Sequence, residues 1–125
     1  MSKKILITGA AGFVGRRLVG FMLEKGYDVV AVDNIAPLTG GIDPNQGWPL
    51  YNPKDYKTFT FHKIDCRAWF TKNLDQKFDY VFHLAAMVGG REIIENNPLI
   101  VAEDLSIDSH FWQWCSKAKP EKVVN

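Results

Sequence analysis

Three glycines near the start of the chain have a type and spacing that could hold a phosphate group. Gly9, Gly12 and Gly15 follow one another at three-residue intervals, directly after a short apolar run. If a dinucleotide binds here, Gly9 allows a sharp turn, Gly12 lets a pyrophosphate approach the backbone, and Gly15 lets a helix pack closely on the strand. A helix beginning at Phe13 and Val14 would add unpaired N–H groups and a positive dipole end. The same glycines could instead serve only a turn and its packing, and their spacing departs from the G-x-G-x-x-G pattern.

An acidic residue further along the chain favours the dinucleotide. A second apolar run, 29–32, leads into Asp33, roughly twenty residues beyond the glycines, where an acidic residue would meet the adenosine ribose. A carboxylate there accepts hydrogen bonds from the ribose hydroxyls and would repel a 2′-phosphate. Asp33, with Asn34 beside it, therefore predicts NAD as the cofactor, with NADP less favoured.

The elements that must position these residues are strands alternating with helices. We expect strands at 4–8, 28–32, 58–64 and 80–84, a fifth strand opening at 123–125, and helices that start at residue 13, contain residues 69–70 and cover 99–118. The first and last helices would stop at Gly26 and Pro120. The fourth strand, apolar throughout, is expected to be buried on both faces. This alternation predicts a doubly wound, parallel α/β sheet in a single domain over residues 1–125.

Residues 34–57 have the composition of a long loop. The segment carries three glycines and four prolines, with Trp48, Tyr51 and Tyr56 among them. Loops of this length without secondary structure are uncommon in compact domains and are often functional or mobile. Two interpretations stay open: a disordered insertion anchored by a few aromatic residues, which we prefer, or a flap near the adenosine end of the ligand.

Two more strand ends fall at the edge of the sheet where the glycine turn lies. Asp65 and Cys66 follow the third strand, and Leu84, Ala85 and Ala86 follow the core of the fourth. Ligands bind at the carboxyl ends of the strands in open α/β sheets, and small residues let the main chain approach a flat ligand. Asp65 could equally cap a short helix, and the alanines could form a plain strand-to-helix connection.

The composition is that of an ordinary globular chain. Its 125 residues suit one domain, 46% of them are hydrophobic, and 23% are charged. A formal net charge of +1 gives no basic surface for nucleic acid, and no apolar stretch is long enough to span a membrane. Cys66 and Cys115 match no metal-ligand spacing, so we expect two reduced thiols, no metal site and a cytoplasmic location.

These motifs together resemble those of the extended short-chain dehydrogenase/reductase family, also called the NAD-dependent epimerase/dehydratase family. The likeness rests on Thr8-Gly9-Ala10-Ala11-Gly12-Phe13-Val14-Gly15 as a T-G-x-x-G-x-x-G turn, on Val32-Asp33-Asn34, on Asp65-Cys66, on His83-Leu84-Ala85-Ala86 as an H-x-A-A segment, and on Met87-Val88-Gly89-Gly90-Arg91 as a substrate-side loop. The resemblance implies a Rossmann-like fold in which the glycine turn holds NAD, Asp33 meets the ribose, and Asp65 and Cys66 contact the adenine. The residues implied to bind the cofactor are Gly9, Gly12, Phe13, Val14, Gly15, Asp33, Asn34, Asp65, Cys66, Leu84, Ala85 and Ala86. Asp104 stands where many members carry an asparagine.

The catalytic pair of that family does not occur in this sequence. Members carry a Tyr-x-x-x-Lys pair, in which the tyrosine moves a proton while hydride passes to the nicotinamide, and the lysine lowers the pKa of the tyrosine. The residues four positions after Tyr27, Tyr51, Tyr56 and Tyr80 are Ala31, Asp55, Thr60 and Leu84. His83 and Asp65 could act at the ligand edge instead, but neither shows an orienting partner in the sequence. We therefore expect no catalytic residue in this chain.

Three functional hypotheses follow. The first, which we prefer, is the amino-terminal NAD-binding segment of a nucleotide-sugar epimerase, dehydratase or reductase, truncated before its substrate-binding region and inactive alone. The second is a stand-alone nucleotide-binding or interaction module, and the third is one half of an enzyme that another chain completes. The helix over 99–118 is apolar on more than one face, and the same region commonly forms a dimer interface in the family. We therefore expect a homodimer through that helix.

Overall fold

The fold is a parallel β-sheet with helices packed on both faces. A computed structural model describes residues 2–37, 39–86 and 95–125, and every structural statement below refers to these residues. Within them the chain forms, in order, β1 (Lys4–Thr8), α1 (Phe13–Glu24), β2 (Asp28–Asp33), β3 (Phe59–Lys63), α2 (Cys66–Lys72), β4 (Tyr80–His83), α3 (Pro98–Ala118) and β5 (Lys122–Val124). Each pair of neighbouring strands is parallel. The predicted doubly wound α/β sheet is confirmed.

The strand order across the sheet is β3-β2-β1-β4-β5, with β1 at the centre. The chain builds outward from β1 to β3 and then returns past β1 to continue with β4 on the other side. The carboxyl ends of β1 and β4 are therefore neighbours, with Thr8 opposite His83. In open α/β sheets, ligands bind in the crevice outside the strand ends where the order reverses. This topology creates such a crevice beside the glycine turn.

Local sequence signals set the helix ends. α1 ends at Glu24, and Gly26 adopts a φ of +81°, which reverses the chain into β2. α3 begins with Pro98, whose missing N–H costs nothing at the first helical position. It ends at Ala118, where Lys119 takes a left-handed conformation just before Pro120. None of the helices in the described part of the chain has the length and hydropathy of a membrane span.

Apolar side chains pack on both faces of the sheet. On one face, α2 and α3 contribute Phe70, Phe111 and Trp114, and the ring centroids of Phe70 and Trp114 lie 5.3 Å apart. On the other face, Val19 of α1 belongs to a buried cluster with Ile5. Close aromatic contacts add to the stabilisation that comes from burial alone. The two layers fix the strand ends relative to the helices that follow them.

The expectation that β4 is buried on both faces is wrong for one of them. Val81 and His83 are buried under α3, whereas Tyr80 and Phe82 on the opposite face are only half-buried. The reason is that α1, the helix on that face, packs on β1 and β2. Within the described residues, no helix lies over the same face of β4.

The described residues of the segment 34–57 form defined local structure, so the expected disorder is wrong, whereas the expected anchoring by aromatic residues is confirmed. It contains two short 3₁₀ helices, at Pro44–Gln46 and Pro53–Asp55. Trp48 is buried, and its Nε1 donates to the carbonyl of Ile42 at 2.8 Å. The Tyr51 hydroxyl donates to the carbonyl of Arg16, which fastens the segment to α1.

Candidate functional site

A cleft opens at the carboxyl edge of the sheet, above the ends of β1 to β4. It has a volume of about 240 Å³. Nine of the twelve predicted cofactor-binding residues line it: Gly9, Gly12, Asp33, Asn34, Asp65, Cys66, Leu84, Ala85 and Ala86. The topology thus gathers residues that follow four different strands into one place. The predicted substrate-side loop 87–91 lies outside the described residues.

The three glycines of the turn differ in whether the fold has room for a Cβ at their positions. Gly9 has a φ of +67°, and a Cβ there would lie 2.8 Å from the backbone nitrogen of Ala85. A Cβ on Gly15 would lie 2.2 Å from the carbonyl oxygen of Gly9, so this glycine lets α1 pack against the turn rather than on the strand. A Cβ on Gly12 would lie 3.4 Å from the same oxygen, an ordinary contact distance. The fold therefore requires Gly9 and Gly15, whereas Gly12 keeps the cleft open.

The N-terminus of α1 lies next to the cleft. Gly12 is its N-cap, and no side chain caps the first turn. The N–H groups of Phe13, Val14 and Gly15 have no partner within the helix because they belong to its first turn. The side chains of Phe13 and Val14 are 67% and 63% exposed, and these three residues do not form the cleft wall. Only their backbone could serve an anion at this end of the helix.

Two charged side chains hold the glycine turn in place. Asp33 Oδ2 accepts from the backbone N–H of Ala11 at 2.9 Å, and its Oδ1 accepts from that of Ile35 at 2.7 Å. Arg16 Nη1 donates to the carbonyls of Ala11 at 2.6 Å and Gly40 at 3.0 Å. A carboxylate has about four acceptor positions, so Asp33 can hold the turn and still accept from a ligand. No local sequence pattern predicts these hydrogen bonds.

Asp65 both caps α2 and pairs with Arg67. Its Oδ1 accepts from the Arg67 backbone N–H at 2.9 Å, while Arg67 Nε donates to Oδ1 at 3.1 Å and Nη2 donates to Oδ2 at 2.7 Å. These hydrogen bonds, led by those of the guanidinium, hold the pKa of Asp65 below its ordinary value. Arg67 also reaches α3, where Nη1 donates to Ser106 Oγ at 3.2 Å and Nη2 lies 4.0 Å from Glu103 Oε2. The capping interpretation is confirmed, and the same carboxylate lines the cleft.

His83 lies beneath the cleft rather than in its wall. Its side chain stacks on Phe111 with ring centroids 4.1 Å apart, and its Nδ1 is 2.7 Å from Thr8 Oγ1. Thr8 Oγ1 accepts from the N–H of Ala85 at 3.2 Å, and we assign its hydroxyl as the donor to His83 Nδ1. Nδ1 is then the acceptor, and the ring proton is on Nε2. Nε2 lies 3.5 Å from Asp108 Oδ1 without hydrogen-bond alignment. Burial lowers the pKa of His83, partly offset by Asp108, so the imidazole is neutral and links β1 to β4.

The Cys66 thiol in the cleft wall is not an activated nucleophile. Burial raises its pKa to about 12, with a further rise from the neighbouring Asp65. Thiolates are the reactive form of cysteine, and this environment disfavours the thiolate. Cys66 therefore contributes shape to the cleft rather than chemistry.

Six residues that line the cleft were not among those expected to bind the cofactor: Val32, Ala36, Thr39, Arg67, Glu103 and Ile107. Ala36 and Thr39 show that the start of the segment 34–57 borders the cleft, while its later part packs on α1. Glu103 and Ile107 are four residues apart on α3 and so share one helix face. Arg67 could have been noticed in the sequence, because it lies two positions after a candidate N-cap carboxylate.

Comparison with known proteins identifies the family. A family model for the NAD dependent epimerase/dehydratase family matches residues 5–125. The chain belongs to this family. The predicted resemblance is therefore confirmed over nearly the whole sequence, including the glycine turn and the strand ends that form the cleft.

Relatives within the NAD dependent epimerase/dehydratase family are much longer than this chain. The UDP-glucuronate 4-epimerase of Thermodesulfobacterium geofontis is 37% identical over 95 residues, which cover 73% of this chain and 28% of that protein. One solved structure is the UDP-N-acetylglucosamine 4-epimerase of Methanobrevibacter ruminantium in complex with UDP-N-acetylmuramic acid. It matches with a TM-score of 0.78 and 26% identity, and the match covers 98% of this chain and 36% of that protein. The UDP-glucose 4-epimerase of Thermus thermophilus, solved with NAD, matches with a TM-score of 0.71 and 25% identity. That match covers 96% of this chain and 36% of that protein. The chain thus spans about a third of the length of such relatives.

Proposed function

We propose that the chain binds NAD in this cleft and serves as the cofactor-binding part of an enzyme that acts on nucleotide-linked sugars. The observation that carries the proposal is the space at Gly12, which the fold does not need and which lies beside the uncapped N-terminus of α1. An open backbone next to free N–H groups suits a pyrophosphate. The NAD in the solved Thermus thermophilus relative supports the same choice of ligand.

Asp33 supports NAD over NADP. Its carboxylate lines the cleft at the end of β2, next to the strand that carries the glycine turn. Both oxygens already accept one backbone N–H each, which fixes their position. The remaining acceptor positions suit ribose hydroxyls, whereas a 2′-phosphate would add negative charge beside a carboxylate.

The strand order supports a direction for the ligand. The glycine turn follows β1, Asp33 ends β2, and Asp65 follows β3, and these strands are consecutive neighbours in the sheet. A pyrophosphate on the turn and a ribose on Asp33 therefore direct the adenine toward Asp65 and Arg67. The nicotinamide would extend the other way, toward Leu84 and Ala85 after β4.

The chemistry of the whole enzyme is proposed from the relatives. In a complete member, NAD would take a hydride from a sugar carbon and later return it. We expect this chain alone to be inactive because no Tyr-x-x-x-Lys pair occurs in it. The alternative in which another chain completes the enzyme stays open. Activity that appears only after mixing with a second protein would favour that alternative.

A cytoplasmic location belongs to the same proposal. Cys66 and Cys115 are unpaired thiols, which suits a reducing compartment. Fractionation that recovers the chain with an oxidising compartment would contradict it.

Calorimetric titration of the purified chain with NAD and with NADP tests the proposed function. We expect saturable binding with NAD preferred, and we expect Asp33→Asn to reduce that preference because the carboxylate charge is lost. Asp28→Asn, an exposed change at the opposite end of β2, is the matched control and should leave it unchanged. A folded wild-type chain that binds neither dinucleotide would show that the proposed site is wrong.

A further inference from the structure

A groove lies between the outward face of α1 and a turn of the segment 34–57. It has a volume of about 390 Å³, and its walls include Phe13, Arg17 and Phe21 of α1 and Leu50 and Tyr51 of the turn. We propose that this α1 groove binds an acidic segment of another polypeptide, whose apolar side chain enters the groove and whose carboxylates pair with the cations on its rim. The inference does not use the NAD site and stands apart from the proposed function.

The floor of the α1 groove is fixed without a partner. The Tyr51 ring packs on Gly20, where a Cβ would lie 2.9 Å from the ring. The Tyr51 hydroxyl donates to the carbonyl of Arg16, which ties the turn to the helix. The core face of α1, with Val19 and Leu23, is buried on the other side of the helix. Because the groove is already formed, binding does not have to order it, and preorganisation of this kind favours affinity.

The wall formed by Leu50 has a conformation that costs stability. Trp48 and Tyr51 are bridged across a four-residue turn, in which Leu50 has a φ of +80°. With Pro49 before it, this is the geometry of a type II turn, whose third position favours glycine. The Leu50 side chain is nevertheless 83% exposed, so contacts within the chain do not offset the strain. Backbone strain of this kind concentrates at binding sites, and a partner that covers Leu50 would account for it.

The opposite wall combines aromatic rings with cations. Phe13, Arg17 and Phe21 follow one another at four-residue intervals, so they share one face of α1, and both rings are more than half exposed. The Arg17 guanidinium lies 5.2 Å from the centroid of the Phe13 ring, and Lys25 Nζ lies 4.7 Å from that of Phe21. Within the described residues, neither cation has a carboxylate partner. This wall therefore suits an apolar side chain that has a carboxylate beside it.

Charge and shape favour an acidic polypeptide over other occupants. Among the described residues, the lining holds the two cations Arg16 and Arg17 and one carboxylate, that of Glu24, while Lys25 adds a cation at the rim. Complementary charges fix the register of a partner, and apolar side chains that enter a groove are a common mode of peptide recognition. A flat anionic membrane would not fill a concave groove. Since α3 packs on the other face of the sheet, a dimer formed through α3 would leave the α1 groove open.

Selection of peptides from a random phage-displayed library on the purified chain tests the inference. We expect the enriched peptides to share a large apolar residue next to aspartate or glutamate. By fluorescence polarisation, Leu50→Gly should bind such a peptide at least about tenfold more weakly. It should also raise the melting temperature by a few degrees, because glycine relieves the positive φ. Lys119→Gly makes the same kind of change at the end of α3, outside the groove, and should leave the affinity unchanged.

A charge exchange separates direct pairing from a structural effect. Arg17→Glu should weaken the acidic peptide by about tenfold or more, and the same peptide with lysine in place of its carboxylates should bind this variant better than it binds the wild type. Lys72→Glu, an exposed change on α2, is the control and should bind the acidic peptide like the wild type.

Three results would overturn the inference. The first is a selection that enriches no peptide, or only peptides without acidic residues. The second is equal binding of the selected peptide by the wild type and by Leu50→Gly. The third is binding to phosphatidylserine vesicles, or self-association, that is lost in Leu50→Gly, because either would assign the α1 groove to a membrane or to a second copy of the chain.

Discussion

At the scale of single residues, the glycine turn separates structural from ligand-binding demands. Gly9 and Gly15 leave no room for a side chain because backbone atoms lie under 3.0 Å from the position of a Cβ. Gly12 has that room, although it belongs to the same motif. A substitution at Gly12 therefore tests ligand binding, whereas a substitution at Gly15 tests the packing of the fold.

Gly12→Ala should weaken NAD binding without destabilising the chain, whereas Gly15→Ala should destabilise the fold. Gly12→Ala should leave the melting temperature within a few degrees of wild type and weaken NAD binding at least about tenfold, because its Cβ occupies the phosphate approach. Gly15→Ala should destabilise the chain by about 1–3 kcal/mol or more, since overpacking against backbone forces a shift. Thermal unfolding and NAD titration of both variants check this. Equal stability of the two variants would contradict it.

His83 predicts how stability depends on pH. Its pKa is lowered in the folded chain, so the unfolded chain binds more protons below about pH 6.5. The stabilisation is present above that pH and is lost as the pH falls toward the folded pKa, with a slope of at most about 1.4 kcal/mol per pH unit. Urea unfolding at pH 7, 6 and 5 should show a smaller loss in His83→Gln than in wild type. His62→Gln, an exposed control on β3, should follow the wild type.

At the scale of elements, the end of α3 carries a residue in an unfavourable conformation. Lys119 has a φ of 49°, in the left-handed region where glycine is preferred after a helix. Lys119→Gly should stabilise the chain by about 0.5–1 kcal/mol. The same change two positions earlier, Lys117→Gly, lies inside α3 and should destabilise it by about 1 kcal/mol. Chemical denaturation of both variants is the measurement, and a shift of the same sign in both would contradict the assignment of the helix end.

The elements that the sequence predicted well are those with strong local signals. The strands around the glycine turn follow from apolar runs and from the preferences of glycine. The helix predicted over 99–118 matches α3 to within one residue. The conformation of the described residues within 34–57 could not be predicted in this way, because it includes the Tyr51 ring packing on Gly20, where a Cβ would lie 2.9 Å from the ring. A contact between residues thirty-one positions apart leaves no local pattern.

At the scale of the whole molecule, the sequence predicted which residues line the cleft better than it predicted the hydrogen bonds between them. Parallel strands place their carboxyl ends together, so the residues after β1 to β4 had to meet. The bridges from Asp33 to the glycine turn and from Arg67 to α3 depend on side-chain geometry after folding. For this reason the sequence supplied candidate ligand contacts but not the contacts that hold them in position.

The outer face of α3 carries the expectation of a homodimer, which stays a prediction. Its inner face buries Ile107, while Val101, Leu105 and Trp112 are 42%, 67% and 52% exposed. These three residues lie four and seven positions apart and form one stripe along the helix. A second copy of α3 is a partner that would cover this stripe, and exposed apolar stripes of this kind mark association surfaces.

Leu105→Glu should therefore convert a dimer into a monomer while changing stability by no more than about 0.5 kcal/mol, because the position is on the surface. Gln113→Glu introduces the same side chain on the exposed part of α3 but away from the stripe, and it should leave the dimer intact. Size-exclusion chromatography with light scattering over a range of concentrations distinguishes the two variants. A wild-type chain that remains monomeric at high concentration would refute the dimer, and dimers of equal strength in both variants would place the interface on another surface.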